Sequence, residues 1–201
     1  FRRMHLTQFP PAVHAVMLSA CAAEPVLLNS ERIEQRFGSY GIEVLASEAG
    51  LRRSSLYSLS GDKPVCRTYA VVRFADQLDE RCHEEHAKVL AGNSIGAIFR
   101  SHGWDVHKQT MYIGHLDLPQ EQSSISELMH AGGDNRLALH VYQLLLVKEE
   151  RVFEYATIIE THHPDYLSET KLLDLYEYDA ATALPPEAVR QIVALVLNNE
   201  N

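Results

Sequence analysis

Basic residues, glycine, proline and uninterrupted apolar runs are all scarce in this chain. Its 201 residues carry 18 Lys and Arg against 27 Asp and Glu, a formal net charge of −9. A chain so short of cations lacks the means to displace counterions from a phosphate backbone, which excludes a general nucleic-acid binder. Ten glycines and eight prolines are too few for a collagen-like or low-complexity chain. No apolar run approaches the roughly 18–20 residues that cross a bilayer as a helix. No repeat recurs at a solenoid period and no break in composition marks a second domain. The length suffices to bury one full core and is short for two.

Acids are missing from one region altogether: residues 1–20 contain no Asp or Glu, and the first acid is Glu24. Arg2 and Arg3 precede an apolar stretch from Phe9 to Ala20 that ends in Leu18-Ser19-Ala20-Cys21. An aliphatic residue, two small residues and a cysteine in this position resemble the signal peptide and lipobox of bacterial lipoproteins. The resemblance implies cleavage before Cys21 and a lipid on its thiol. Ala22 after the cysteine, by the sorting pattern of such proteins, favours the outer membrane. On this reading residues 1–20 are the signal peptide, 21–29 a tether and 30–201 one periplasm-facing domain. The other readings are an ordinary cleavable signal with Ala20-Cys21-Ala22 as its site, or a buried amphipathic segment of a cytoplasmic protein. With Cys21 lipidated, Cys66 and Cys82 remain in a compartment where a disulfide persists. Their loop would contribute about 3 kcal/mol in the chain-entropy model. Two buried free thiols are the alternative.

The hydropathy periods predict a single α+β domain: a largely antiparallel sheet of five to six strands, with helices packed on one face. A helix over Ser30–Phe37 opens at Asn29 or Ser30 and closes at Gly38. Strands follow over Ile42–Ala46, Arg53–Ser60 and Val65–Phe74, with Cys66, Thr68, Ala70, Val72 and Phe74 on one face. Asp76 or Asp79 caps a helix that runs to about Leu90, and a second helix covers Ile95–Ser101. Trp104–Leu116, Leu137–Val147 and Val152–Thr161 read as strands, the middle one apolar on both faces as a central strand should be. Pro185 and Pro186 start a last helix whose Val189, Ile192, Val193, Val196 and Leu197 form one stripe.

Two patterns carry candidate chemistry. His83-Glu84-Glu85-His86 places two imidazoles at i, i+3 on a helix, and Glu160-Thr161-His162-His163-Pro164-Asp165 holds two more. Zinc held by His83, His86 and His162 would leave a position open for water. The bland alternative is solvated and capping histidines without any cofactor. Gly92-Asn93-Ser94-Ile95-Gly96 matches the Gly-x-Ser-x-Gly elbow that exposes a nucleophilic serine. Ser94 with His86 or His162 and Asp165 would then form a hydrolytic relay, while the structural alternative is a helix break at Gly92 with Ser94 as the next cap. The same loop suits an anion, with Arg67, Arg100 and Lys108 as helpers.

Two functions follow as expectations. One is an envelope lipoprotein, anchored in the membrane by its lipid, whose domain binds a small ligand or an envelope protein. The other is an envelope hydrolase that uses Ser94 or a histidine-bound metal.

Overall fold

The computed structural model describes residues 27–48, 50–118, 124–129, 135–178 and 184–197. Cys21, the lipobox and the apolar leader lie outside them. Turn chemistry lays out the chain. Helix α1 (Asn29–Phe37) stops at Gly38, which takes φ +76° and donates its N–H to the Glu34 carbonyl. Left-handed Gly50 and Gly61 turn β1 (Gly41–Glu48) into β2 (Leu51–Ser60) and β2 into β3 (Lys63–Phe74). A single 3-10 turn (Glu80–Cys82), with Asp79 accepting from the Arg81 N–H, leads into α2 (His83–Leu90). After α3 (Ile95–Ser101) the chain runs through β4 (Asp105–Asp117), α4 (Ser124–Met129), β5 (Arg136–Lys148) and β6 (Arg151–His162). It closes with α5 (Glu169–Leu175) and α6 (Pro186–Leu197). The β5–β6 turn puts two non-glycine residues, Glu149 and Glu150, at φ +52° and +60°. A two-residue hairpin turn needs this handedness at both positions, so the ladder holds the acids there against their own preference.

The six strands form one antiparallel sheet in the order β1-β2-β3-β6-β5-β4. Two three-stranded meanders, β1-β2-β3 and β4-β5-β6, are thus joined along a β3–β6 seam at the middle of the sheet. The α+β class and the single antiparallel sheet agree with the sequence expectation.

The layers extend it. Helices α1, α2, α3 and α5 cover one face, as expected, but α4 and α6 cover the other. Leu137, Leu139 and Val141 of β5 meet Ile125 and Met129 of α4 and Ile192 and Val196 of α6. Tyr142, Leu144 and Leu146, on the opposite face of β5, meet Val89 of α2 and Phe99 of α3. A strand apolar on both faces requires a cover on each.

Bulges correct a second expectation. Leu56 pairs with Thr68 but Tyr57 pairs with Cys66, so Arg67 is an extra residue in β3. The extra residue shifts the alternation. Cys66 therefore joins Tyr69 and Val71 on the α6 face, whereas Val72 and Phe74 face α2 and α3. Cys82 is buried on that second face, and both cysteines are free thiols. The sheet lies between them, so no disulfide joins the two. Leu28 and Asn29, assigned by the sequence to a tether, are buried parts of the domain.

Candidate functional site

The buried polar residues cluster where the two meanders meet. Thr68 of β3, Glu160 and His162 of β6 and His140 of β5 are all buried. Their registers bring them together: Thr68 pairs with His162, and Ala70 and His140 flank Glu160. A side-chain period of two then places all four on the face covered by α1, α3 and α5.

Glu160 is the centre of the cluster. Its Oε1 accepts from Asn29 Nδ2 at 2.7 Å and from the Tyr142 hydroxyl at 2.8 Å. Its Oε2 accepts from Lys108 Nζ at 3.3 Å, and that ammonium also lies 4.3 Å from the centre of the Tyr142 ring. Burial opposes ionisation of this carboxyl. The Lys108 charge, the two imidazoles and the Tyr142 hydroxyl outweigh it and hold the pKa at about 2. Glu160 is therefore an anion at neutral pH.

Two imidazoles complete the cluster. His162 Nε2 lies 3.7 Å from Glu160 Oε2 and His140 Nδ1 lies 4.0 Å from it. Neither nitrogen has a hydrogen-bond partner. The outer nitrogens are both held: His162 Nδ1 meets Thr68 Oγ1 at 2.9 Å and His140 Nε2 meets Thr110 Oγ1 at 3.0 Å. Burial depresses the His162 pKa to about 4, against the pull of Glu160. Burial and the Lys108 charge depress His140 in the same direction. Both rings are neutral at pH 7. His140 is fixed between Tyr142 and Tyr176, whose ring centres lie 4.7 and 4.5 Å away.

A pocket opens from this cluster toward α1 and α3, with about 70 Å³ of room. One water needs about 10–15 Å³ on the same measure. Its walls are aliphatic, with Leu28, Leu56, Val72 and Ile158 among them, and its polar residues include Arg52, Lys108, Ser94 and Glu160. Gly96 also lines it, and a Cβ there would come within 2.5 Å of a Leu28 methyl. The bare helix start lets Leu28 close the pocket against α3.

Arg52 is the least expected member. It is buried, and its Nη1 donates to the Val89 and Asn93 carbonyls at 2.9 and 3.1 Å. Its Nε has no partner, and no carboxylate pairs with it among the described residues. Burial lowers its pKa, yet a guanidinium remains charged at any physiological pH.

The residues singled out from sequence are divided among several places. Ser94 lines the pocket, at the cap position of α3 and without a side-chain cap bond. The segment before it is helix α2, not the strand that a nucleophile elbow requires. Among the described residues no hydrogen bond joins Ser94 to a histidine. His86 Nδ1 bonds the Tyr155 hydroxyl at 2.8 Å and its ring packs on Phe74. Asp165 donates its own N–H to His163 Nδ1 at 3.0 Å, and its carboxylate is exposed. The relay of Ser94, His86 or His162 and Asp165 is therefore not assembled.

The zinc set is regrouped as well. Among the described residues, the group of three metal-capable side chains with ligand atoms within 4.8 Å of one another is His140, Glu160 and His162. His162 is in it; His83, exposed on α2, and His86, bonded to Tyr155, are not. Of the anion helpers, Lys108 reaches the pocket. Arg100 pairs with Glu31 at 3.1 Å, and Arg67 stacks on Phe37 and donates to Ser58.

Sequence reasoning passed over His140, Arg52 and Asn29. His140 sits in a strand at an inward position of the period-two pattern, where a titratable residue is itself the signal; Arg52 falls just before the strand expected over Arg53–Ser60, which the structure extends back to Leu51. Asn29 reads as a helix cap. In the structure Glu31 takes that task by accepting the Leu28 N–H, and Asn29 turns to Glu160 and Tyr166. No protein-family model matches the chain, and no curated protein matches it.

Proposed function

We propose that the domain binds a small organic anion, a carboxylate carried on an apolar body, in the pocket between α1, α3 and the sheet. One observation carries this reading: Arg52 is a buried cation with an unpartnered Nε, at a pocket whose remaining walls are largely aliphatic. A buried charge is expensive unless it is paired. A planar carboxylate offers a guanidinium the geometry it prefers. The aliphatic walls take the body of the ligand. Glu160, already ionised, sets the polarity of the other end: it repels a second acid and accepts from a hydroxyl or amine.

The test is a titration of the purified chain with matched small carboxylic acids, their primary amides and their alcohols, read as heat of binding. Binding by the acids alone, lost in Arg52→Met, is the expected result. Equal binding of the amides, or acids that bind Arg52→Met as well as they bind the unaltered chain, would sink the reading.

We propose further that this domain is carried at the cell envelope by a lipid on Cys21, facing the periplasm. The acid-free leader and Leu18-Ser19-Ala20-Cys21 support that reading. Its test is the intact mass of the protein recovered from membranes of a cell expressing the full gene. A chain that starts at Cys21 and carries lipid is expected; an unprocessed chain overturns the anchor.

A further inference from the structure

Glu160 is held at one oxygen by Asn29 and Tyr142 and at the other by Lys108. That second oxygen also faces two imidazole nitrogens that make no hydrogen bond. Three electron-pair donors converge there, and their remaining hydrogen-bonding sites are already taken. From this convergence we infer that His140 Nδ1, His162 Nε2 and Glu160 Oε2 form a binding site for a divalent transition-metal ion of the zinc type. The site shares Glu160 with the pocket wall but does not include Arg52, and it does not rest on the anion reading.

Four features of the geometry support it. The donor set is two imidazoles and one carboxylate, which suits a borderline ion and leaves a coordination position open. The ligand atoms already stand near the required spacing. Bonds of about 2.1 Å in tetrahedral geometry place neighbouring ligand atoms about 3.4 Å apart, against 3.7 and 4.0 Å here. All three ligand atoms lie within 4.8 Å of one another. The outer nitrogen of each ring meets a threonine hydroxyl, Thr68 for His162 and Thr110 for His140. A hydroxyl that accepts the outer N–H leaves the inner lone pair free for a metal and fixes the ring toward it. Finally, the ligands come from strands β5 and β6, which hold their positions more firmly than loops do.

Lys108 is the counter-force. Its ammonium occupies the Oε2 side of Glu160 and would repel a dication. Its side chain also lines the pocket, so it has room to turn away from an incoming metal. Metal and ammonium therefore compete for one carboxylate oxygen, and this competition gives the proposal a signature that a surface histidine pair lacks.

The experiment is equilibrium dialysis of the full chain, stripped with chelator, against zinc at neutral pH, with bound metal counted by elemental analysis. A single zinc is expected in the unaltered chain and in His83→Ala, whose imidazole is on the exposed side of α2. Thr68→Val keeps the β-branched shape but removes the hydroxyl, and should weaken binding by about 10–100-fold. His162→Gln should abolish it, and Lys108→Met should tighten it. Should His162→Gln fail to fold, Thr68→Val and Lys108→Met carry the test. Zinc that disappears in His83→Ala belongs to the surface, and that result overturns the proposal. So does zinc indifferent to Thr68→Val and Lys108→Met, or the absence of zinc from both the unaltered chain and Lys108→Met.

Discussion

The two faces of β5 use one strand for opposite purposes. On the α6 side Leu137, Leu139 and Val141 pack against Ile125, Met129, Ile192 and Val196, in a cluster that also holds Cys66 and Tyr69 but no carboxylate or imidazole. On the other side Ala138, His140 and Tyr142 alternate with them and meet Glu160, Lys108, Thr110 and Tyr176. The first face gains stability from apolar area removed from water. The second surrenders part of that gain to place charges where water cannot reach them. A strand anchored by its dry face can carry a costly polar face. The chemistry of the candidate site therefore rests on residues that never touch it.

That contrast can be broken from either side. Glu160→Leu should have the largest effect, because it strips Lys108 of its partner carboxylate while the ammonium stays largely buried. Removing one member of a buried pair costs about 3–5 kcal/mol, and chemical denaturation would measure it. Leu139→Ala, on the dry face, should destabilise by about 2–5 kcal/mol yet leave affinity for the anion unchanged in the folded fraction. Loss of binding in that variant would show that the two faces are not independent.

Acid should also act on the polar face. The His162 pKa stands at about 4 in the fold against 6.5 in the free side chain, and Glu160 stands at about 2 against 4.5. Both folded values lie below the unfolded ones, so the unfolded chain takes up protons first as pH falls. Stability is full above pH 6.5. It should decline between 6.5 and 4 by about 3 kcal/mol from His162 alone. His140 adds to this loss, and Glu160 extends it to about 2. A melting temperature that is flat from pH 7 to pH 4 would contradict the buried, neutral imidazoles. Arg52→Met should cost at least tenfold in anion affinity, about 1.4 kcal/mol. The smallest effect belongs to Ser94→Ala. With no cap bond to lose, it should change stability by no more than about 0.5 kcal/mol, as chemical denaturation would read.

Much of the fold is legible in the sequence because period, punctuation and caps agree. Gly38, Gly61 and Gly92 mark boundaries that the structure places at the ends of α1, β2 and α2. The Ile95–Ser101 helix falls on α3 residue for residue. What sequence does not reveal is where alternation slips. An extra Arg67 in β3 and an extra Tyr155 in β6 are local events, set by packing across strands far apart in the chain. Each slip moves side chains between faces, which is why Cys66 was expected with Val72 and lies with Val71. Part of the site was visible for a related reason. Glu160 and His162 are neighbours in sequence, and Lys108 stood out as a cation, but His140 joins them only through the β5–β6 register. Arg52 joins through the β1–β2–β3 meander, and no local pattern announces that meeting.

The β3–β6 seam has a consequence for the order in which the molecule acquires function. Thr68 and His162, which share a hydrogen bond across it, are 94 residues apart in the chain. The β1–β2, β2–β3 and β5–β6 pairs close over short turns and β4–β5 over the segment that holds α4, whereas the seam requires a longer loop to close before any contact repays its lost entropy. Docking of the two meanders is therefore expected late in folding, and His162 is the last residue of the last strand in the chain. Neither meander alone holds the complete set of cluster residues. During synthesis the cluster is therefore complete only once β6 has emerged to pair with both β3 and β5.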